Sequence, residues 1–267
     1  MTCLLYREKM GDEGEFEEAQ DIWGDDCYRF RSQVPKGSEV IGRYSVLPHY
    51  DELEEELSLR DCALVNPLRI HKRIADLKWY HPLEELTPRT WFEEGWKTVP
   101  DCEHGWVVKG KTNSRKWQWN KMMYAENREE LKEILHRIRY DSYISDQGVA
   151  IREYVPLEQV GKGINGLPLG NEWRCFFVGE DLLISGFYWA IAECTPEMTD
   201  TPEGAIDVAE EAAKRFSLHG DEFFVVDVAK TQEGDWIVIE INDGQMSGLS
   251  TIDPGKFYRH LRNYYED

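Results

Sequence analysis

The chain has 267 residues, with 51 Asp and Glu against 31 Lys and Arg, a formal net charge of −20. That length suits one large domain or two small ones, and 10 Trp, 13 Tyr and 10 Phe exclude a disordered composition. No run approaches the roughly 20 consecutive apolar residues that span a bilayer. The acidity weighs against duplex nucleic acid, which needs Lys and Arg to displace counterions. It leaves a small basic pocket open, because local field and net charge are separate quantities.

From the N-terminus, Cys3–Tyr6 reads as a short strand and Glu13–Trp23 as a helix, with Phe16, Ala19, Ile22 and Trp23 at helical spacing. Val40–Tyr44 is a second strand, Tyr50–Leu59 an acidic amphipathic helix, and Cys62–Val65 a strand followed by an Asn66-Pro67 turn. Ile70–Leu77 reads as another helix. Strands alternating with helices imply a small α/β layer with a parallel sheet. Residues 86–90, Leu-Thr-Pro-Arg-Thr, mark a boundary.

Beyond it, Gly105–Lys109 reads as a strand, Lys111–Trp119 as a polar loop, and Glu129–Tyr143 as a helix with Leu131, Ile134, Leu135 and Ile138 on one stripe. Gly148–Val155 is a strand, and Trp173–Val178 with Leu182–Tyr188 form a hairpin around Gly179. Glu203–Phe216 is helical, with Gly220 placed to end it. Phe223–Val228 and Trp236–Asn242 are strands joined through Glu233-Gly234-Asp235. This half is α+β with antiparallel strands.

The opening apolar run is too short for a signal peptide. Six cysteines (Cys3, Cys27, Cys62, Cys102, Cys175 and Cys194) include no CxxC pair, and the seven histidines show no HExxH or HxxxH spacing. Reduced thiols in a cytoplasmic protein are expected, without paired zinc ligands.

The sharpest chemical signal lies in the last two strands. In "WIVIEIN", alternation puts Trp236, Val238, Glu240 and Asn242 on one side and Ile237, Ile239 and Ile241 on a core side. Glu240 and Asn242 then project together, about 7 Å apart along the strand. Asp227 stands among five apolar residues in "FFVVDV". A carboxylate there must be paired, protonated or metal-bound, and Asp, Glu and an Asn amide are hard oxygen donors suited to Mg²⁺. A plain strand-end position is the alternative for Asp227 and Glu240. A hairpin closing symmetrically about residue 232 would set Asp227 opposite Ile237, so a shared ion requires a shifted register or a diagonal bridge.

Other polar side chains interrupt apolar strands. Lys109 ends "GWVVK", where its ammonium can leave the core and meet phosphate as a point charge. Lys111, Thr112, Asn113 and Ser114 follow in the polar loop. Arg152 and Arg174 lie inside strands, and a buried guanidinium needs an anionic partner, whether phosphate or a structural carboxylate. Arg43, with Tyr44 and Ser45, stands at a strand end where it can grip an acidic acceptor or simply face solvent. Trp117, Trp119, Trp173 and Trp189 either pack or stack on a ring.

Asp227 followed thirteen residues later by Glu240-Ile241-Asn242 resembles the metal-binding signature of the ATP-grasp superfamily. "GWVVKGKTNSRK" resembles its phosphate-binding lysine strand and mobile loop, "GVAIREYVPLE" its hinge strand, and "NEWRCFFVGEDLLISGFYW" its E-x-R strand and hairpin. The likeness covers about residues 87 to 250 and is nearest the small type named for two arginines and one lysine. No GxxxxGK[ST] pattern is present, so a P-loop is not its source.

The resemblance implies an α+β ATP-grasp fold, two lobes clasping ATP, preceded by a small α/β domain. Residues 1–86 would form the leading domain, 87–155 the lobe with the lysine strand and loop, and 156–267 the lobe with the metal-binding strands. It implies ATP with two Mg²⁺ ions held by Asp227, Glu240 and Asn242. Lys109 would hold the α- and β-phosphates, with Lys111 and Ser114 in the closing loop. Glu153, Tyr154 and Val155 would lie beside the adenine, Glu158 at the ribose, Arg174 at the γ-phosphate, and Arg152 at phosphate or acceptor. The implied activity is a carboxylate–amine or carboxylate–thiol ligase that forms an acyl phosphate and releases ADP, with a small-molecule or peptide acceptor and no membrane. A phosphotransferase, a nucleic-acid end-joining ligase (disfavoured by the charge) and a silent nucleotide-binding module are the alternatives on the same scaffold.

Overall fold

A computed structural model describes residues 1–7, 14–46, 49–112, 114–142, 144, 148–190 and 200–266. Short apolar segments near the N-terminus build a wholly parallel sheet. β1 (Thr2–Leu5), β2 (Cys27–Tyr28), β3 (Glu39–Ile41) and β4 (Ala63–Leu64) stand in the order β2-β1-β3-β4. They alternate with α1 (Glu15–Trp23), α2 (Tyr50–Ser58) and α3 (Leu68–Ala75). The expected start of the first helix, Glu13, lies outside the described residues. Two-residue β2 is too short to show a period. The strand expected over Val40–Tyr44 stops at Ile41, because the Arg43 N–H turns back to the Ile41 carbonyl at 3.0 Å and Tyr44 takes φ +56°.

A second sheet is antiparallel throughout, in the order β5 (Thr90–Phe92), β8 (Val149–Glu153), β6 (Trp106–Gly110) and β7 (Tyr124–Ala125). One face packs under α4 (Arg128–Ile138), where Leu131, Ile134, Leu135 and Ile138 meet Trp106, Val108, Val149 and Ile151. On β6, Trp106, Val108 and Gly110 are buried, so strand alternation turns Val107 and Lys109 to the opposite face. Asn127 caps α4 by accepting the Glu130 N–H at 3.1 Å. The helix ends at Ile138; the expected end, Tyr143, lies outside the described residues.

A short hairpin, β9 (Gln159–Lys162) and β10 (Pro168–Gly170), leads into the third sheet. There β11 (Glu172–Val178), β12 (Asp181–Phe187), β13 (Phe223–Lys230) and β14 (Trp236–Asp243) run antiparallel in the order β12-β11-β13-β14. Trp173, Cys175, Phe177, Phe224, Val226 and Val228 pack on one face beneath α5 (Glu203–Phe216). Phe176, Val178, Phe223 and Val225 pack on the other against α6 (Pro254–Glu266) and α1. Each fully buried Phe contributes about 1.5–3 kcal/mol, so this doubly covered sheet is the rigid platform of the molecule.

α5 ends at Phe216 because Ser217 turns extended (φ −59°, ψ 136°). Gly220, at φ +84°, bends the following loop instead of closing the helix as expected. α6 has no counterpart among the elements expected from the sequence; its buried Phe257, Tyr258 and Leu261 are set in an otherwise polar stretch.

A polar seam docks the N-terminal sheet on the third one. Asn66 donates through Nδ2 to the Phe223 carbonyl at 2.6 Å and to Asp243 Oδ1 at 2.8 Å, and its Oδ1 accepts the Phe223 N–H at 2.9 Å. Among the described residues no helix is long and apolar enough to cross a membrane. Cys3, Cys27, Cys62, Cys102 and Cys175 are free thiols, and Cys194 lies outside the described residues.

Candidate active site

On the α6 side of the third sheet, the apolar pattern gives way to charge at one end. β11 turns Glu172 and Arg174 to this face, β13 turns Asp227, and β14 turns Glu240 and Asn242. The β13–β14 turn centres on residue 233, with Lys230 opposite Trp236, and one residue further is gained at Ile239, which has no partner between Val228↔Val238 and Asp227↔Glu240. Asp227 thus faces Glu240, not Ile237. Such a bulge shifts the side-chain phase of a strand by one. The even alternation expected along "WIVIEIN" therefore fails: Val238 and Ile241 enter the core beneath α5, while Ile237, Ile239 and Glu240 line a common slot.

The bulge is held by its neighbours. Arg152 donates to the Ile239 carbonyl, to Thr87 Oγ1 at 2.6 Å and to Thr90 Oγ1 at 3.2 Å. Thr87 Oγ1 in turn donates to the Val238 carbonyl at 2.8 Å, and the Val238 N–H reaches the Leu86 carbonyl at 2.7 Å. Burial pushes Arg152 down to about 10, with Glu240 opposing the fall.

The acids meet cations directly. Arg174 forks onto Asp227, Nε to Oδ1 and Nη2 to Oδ2, both at 2.8 Å, and its Nη1 donates to the Gly248 carbonyl at 2.7 Å. Asn242 Nδ2 donates to Asp227 Oδ2 at 3.1 Å. Lys109 Nζ donates to Glu240 Oε2. Burial alone would raise the Glu240 carboxyl, but Lys109 and Lys116 hold it well below the usual carboxylate range. Lys116 donates to the Tyr188 hydroxyl at 2.7 Å. Against the opposing effect of burial, Tyr188, Glu240 and Glu172 raise its ammonium above the ordinary lysine range. Glu172 is 7% exposed, and burial lifts its carboxyl to about 7, with Lys116 opposing and Asp227 and Glu240 adding to the rise.

Two clefts meet at Glu240. The first is an apolar slot of about 140 Å³ lined by Val107, Trp119, Met123, Tyr154, Leu167, Ile237 and Ile239, with Lys109, Lys116, Arg152, Glu172 and Glu240 among its charged lining. Ser114, Glu153 and Val155 also line it. The N–H groups of Glu153 and Tyr154 are engaged by the Arg89 and Gly105 carbonyls at 2.8 and 3.0 Å. Among the described residues the Val155 N–H has no acceptor. The second cleft, about 570 Å³, is lined by His71, Lys111, Thr112, Arg174, Glu240, Asn242, Asp243 and the 246–248 segment.

Of the residues singled out in the sequence, Lys109, Ser114, Arg152, Glu153, Tyr154 and Val155 line the slot, Lys111, Arg174 and Asn242 line the second cleft, and Glu240 lines both. Asp227 is 1% exposed, sealed beneath Arg174 and Asn242. Glu158 lines neither cleft: it accepts from Asn171 Nδ2 at 2.8 Å and pairs with Lys230 at 3.0 Å. The Glu153 carboxylate is engaged by Arg89, with two bonds of 2.8 Å. Arg43, read as a grip for an acceptor, is 0% exposed and instead donates to Glu15 at 2.7 Å and to the Gly244 and Ser247 carbonyls at 2.7 and 2.8 Å. Of the tryptophans, Trp119 and Trp189 line the slot, Trp173 is buried in the core and Trp117 is exposed. Asn113 lies outside the described residues.

Lys116 and Tyr188 were not singled out, and Glu172 was marked only as the acid of the E-x-R pattern, with no role given to it. Lys116 sits in a segment that reads only as a polar loop, and Glu172 carried a signal only in its two-residue spacing from Arg174 on a buried strand.

Glu240 and the Asn242 amide oxygen are hard donors of the kind Mg²⁺ takes, with waters and phosphate oxygens completing a shell, whereas both oxygens of Asp227, expected as a third ligand, are engaged by the Arg174 fork. Among the described residues no cluster of three or more His, Cys, Asp or Glu assembles as a metal site, so a fit depends on the amide and on an anionic ligand. Lys109, Lys116, Lys111 and Arg174 surround that point with positive charge, which suits a polyphosphate.

Residues 94–261 match the family model of an ATP-grasp domain, the third family of the clade named for two arginines and one lysine. The chain is similar in structure to the ATP-grasp ligase PsnB complexed with minimal precursor, Mg and ADP, at a TM-score of 0.58 and 11% identity, covering 100% of this chain and 98% of that one. It is also similar to the D-cycloserine synthetase DcsG (TM-score 0.60, 14% identity, 98% and 99% covered). A RimK domain ATP-grasp protein from Sphaerobacter thermophilus gives a TM-score of 0.57 at 15% identity, with 98% and 99% covered. At these identities the likeness establishes the fold. No curated protein matches the sequence.

Proposed function

Because the chain belongs to this two-arginine, one-lysine family of ATP-grasp domains, we propose that it is an ATP- and Mg²⁺-dependent ligase. It activates a carboxylate as an acyl phosphate, releases ADP and joins the acyl group to an amine or thiol. The observation that carries this reading is the meeting of the two clefts at Glu240, beside Lys109. A flat apolar slot suits a purine, and the Val155 N–H on its wall offers a donor to the base edge.

Lys109 and Lys116 approach Glu240 from the slot side and neutralise charge on a polyphosphate chain laid toward it. Arg174, fixed by Asp227 and the Gly248 carbonyl, presents a preorganised guanidinium edge to the second cleft, where the transferred phosphoryl group would meet the acceptor. Glu240 and Asn242 would supply oxygen donors for the metal, and Asp227 would join them once the Arg174 fork opens. A Mg²⁺ ion bound by these donors would supply positive charge to offset the charge that develops during transfer. Glu172, buried beside Lys116, gives that ammonium a counter-charge and a fixed place.

The leading parallel sheet closes the second cleft through α3, which supports an acceptor site shared between residues 1–86 and 156–267, with residues 87–155 covering the nucleotide. The test is incubation with Mg²⁺-ATP, hydroxylamine and a panel of amino acids and short peptides. Hydroxamate formed in step with ADP supports the ligase. AMP release, or no nucleotide turnover with any acceptor, would overturn it.

A further inference from the structure

The second cleft contains an imidazole with no part in the phosphate chemistry above. His71, on α3, lines it together with Lys111, Arg174, Glu240 and Asn242. Its Nδ1 lies 3.0 Å from Asp243 Oδ2, and its ring packs against Tyr50 with centroids 4.6 Å apart. The Asp243 side chain is 3% exposed, and its Oδ1 accepts from Asn66 Nδ2 at 2.8 Å and from the Gln245 N–H at 2.9 Å. A carboxylate surrounded by donors offers the imidazole an acceptor. Nδ1 therefore carries the hydrogen, and the lone pair is left on Nε2.

Of the other ionisable groups lining the cleft, Lys111 offers only donors and the rest are committed elsewhere. Glu240 accepts from Lys109 Nζ, Arg174 is forked onto Asp227, and Asp243 is covered. An imidazole takes protons near neutrality as a class. Fixed in one tautomer by a carboxylate, it has the arrangement of a general base.

We propose that His71, oriented by Asp243, is the proton acceptor for the incoming nucleophile, and that this nucleophile is an amine of ordinary basicity, such as the amino group of an amino acid or peptide. The proposal rests on the ligase reading above. The ammonium gives one proton to Nε2, and the freed nitrogen attacks the acyl-phosphate carbonyl. The C–N bond forms, the C–O bond to phosphorus breaks, and phosphate leaves with the electron pair and a second proton from the nitrogen. One amide, one hydrogen phosphate and one imidazolium result, and the imidazolium returns its proton to solvent.

Hydroxylamine separates this step from the one before it, because it is already unprotonated at neutral pH and needs no base. Wild type, His71→Gln and Asp243→Asn are each given Mg²⁺-ATP and a carboxylate that yields hydroxamate with the wild type. Each is then supplied with either hydroxylamine or an amino-acid panel. His71→Gln is expected to keep hydroxamate formation within a few-fold while amide formation falls about 100-fold or more. Asp243→Asn, which turns an N–H toward Nδ1 and moves the ring hydrogen to Nε2, is expected to show the same split. In His71→Ala, added imidazole is expected to restore part of the amide. Amide formation at the wild-type rate in His71→Gln would overturn the proposal. So would an equal loss of both products in folded His71→Gln, which would mark the histidine as structural. A wild type that yields neither hydroxamate nor ADP would instead refute the ligase reading, and this proposal with it.

Discussion

Asp227 and Glu240 face each other across β13 and β14, with the unpaired Ile239 separating that pair from Val228↔Val238. The bulge turns an acid and the isoleucine before it toward the same slot, so the apolar wall and the charged site share one strand. Arg152 ties the bulged carbonyl to Thr87 and Thr90.

Arg152→Lys should loosen this arrangement. A single ammonium cannot reproduce three bonds held in a planar fork, and a buried acceptor left unmet costs about 1–3 kcal/mol. A fall of that size in the urea unfolding free energy is expected, together with a raised KM for ATP. Unchanged stability and KM would show that Arg152 does not hold the bulge.

The Arg174–Asp227 pair is buried, so breaking it from one side is costly. Asp227→Ala leaves a guanidinium unpaired and should destabilise by about 3–5 kcal/mol. Adding Arg174→Met removes the stranded charge, and the double variant should regain a large part of that loss while remaining inactive. A double-mutant cycle in denaturant measures this directly, and additive losses would contradict the pairing.

Glu172 gives a pH signature. Burial lifts its carboxyl from the ordinary 4.5 to about 7. Between those values the folded chain holds a proton that the unfolded chain has released, so this group's contribution to stability falls as pH rises through the window and levels off above about 7. Glu172→Gln, neutral at every pH, lacks that decline. The two proteins should be equally stable near pH 4.5 and the variant ahead by about 3 kcal/mol at pH 8. Unfolding midpoints across this range provide the check. A wild type that gained on the variant as pH rose would contradict the assignment.

Much of this was legible because the strands are strongly apolar. In "FFVVDV" and "WIVIEIN" the acids stand out against buried neighbours, and Arg174 stands out in the same way in "EWRCFFV". The register was not legible. Ile239 has no glycine or proline beside it to mark a bulge, and the bonds that hold it come from Arg152 and Thr87, far away in the chain. Lys116 could not be picked out of a polar loop, since its partner Glu172 lies on β11 and its partner Tyr188 just past the end of β12. Arg43 read as a surface grip because its burial comes from α1, α6 and the 244–247 segment closing over it. His71 carried no local pattern at all; its meaning depends on Asp243, 172 residues later.

The central claim is that Glu240, with Asp227 and Asn242, holds a divalent cation against a nucleotide polyphosphate. The most direct measurement is thermal unfolding of wild type and Glu240→Gln with and without Mg²⁺-ATP. A ligand at 100 times its Kd stabilises the folded state by about 2.7 kcal/mol, so the wild type should gain several degrees. Glu240→Gln, which takes away the carboxylate partner of Lys109, should unfold below the wild-type temperature without ligand, gain little from Mg²⁺-ATP and show no turnover. A Glu240→Gln protein that kept the full shift and full activity would contradict the account.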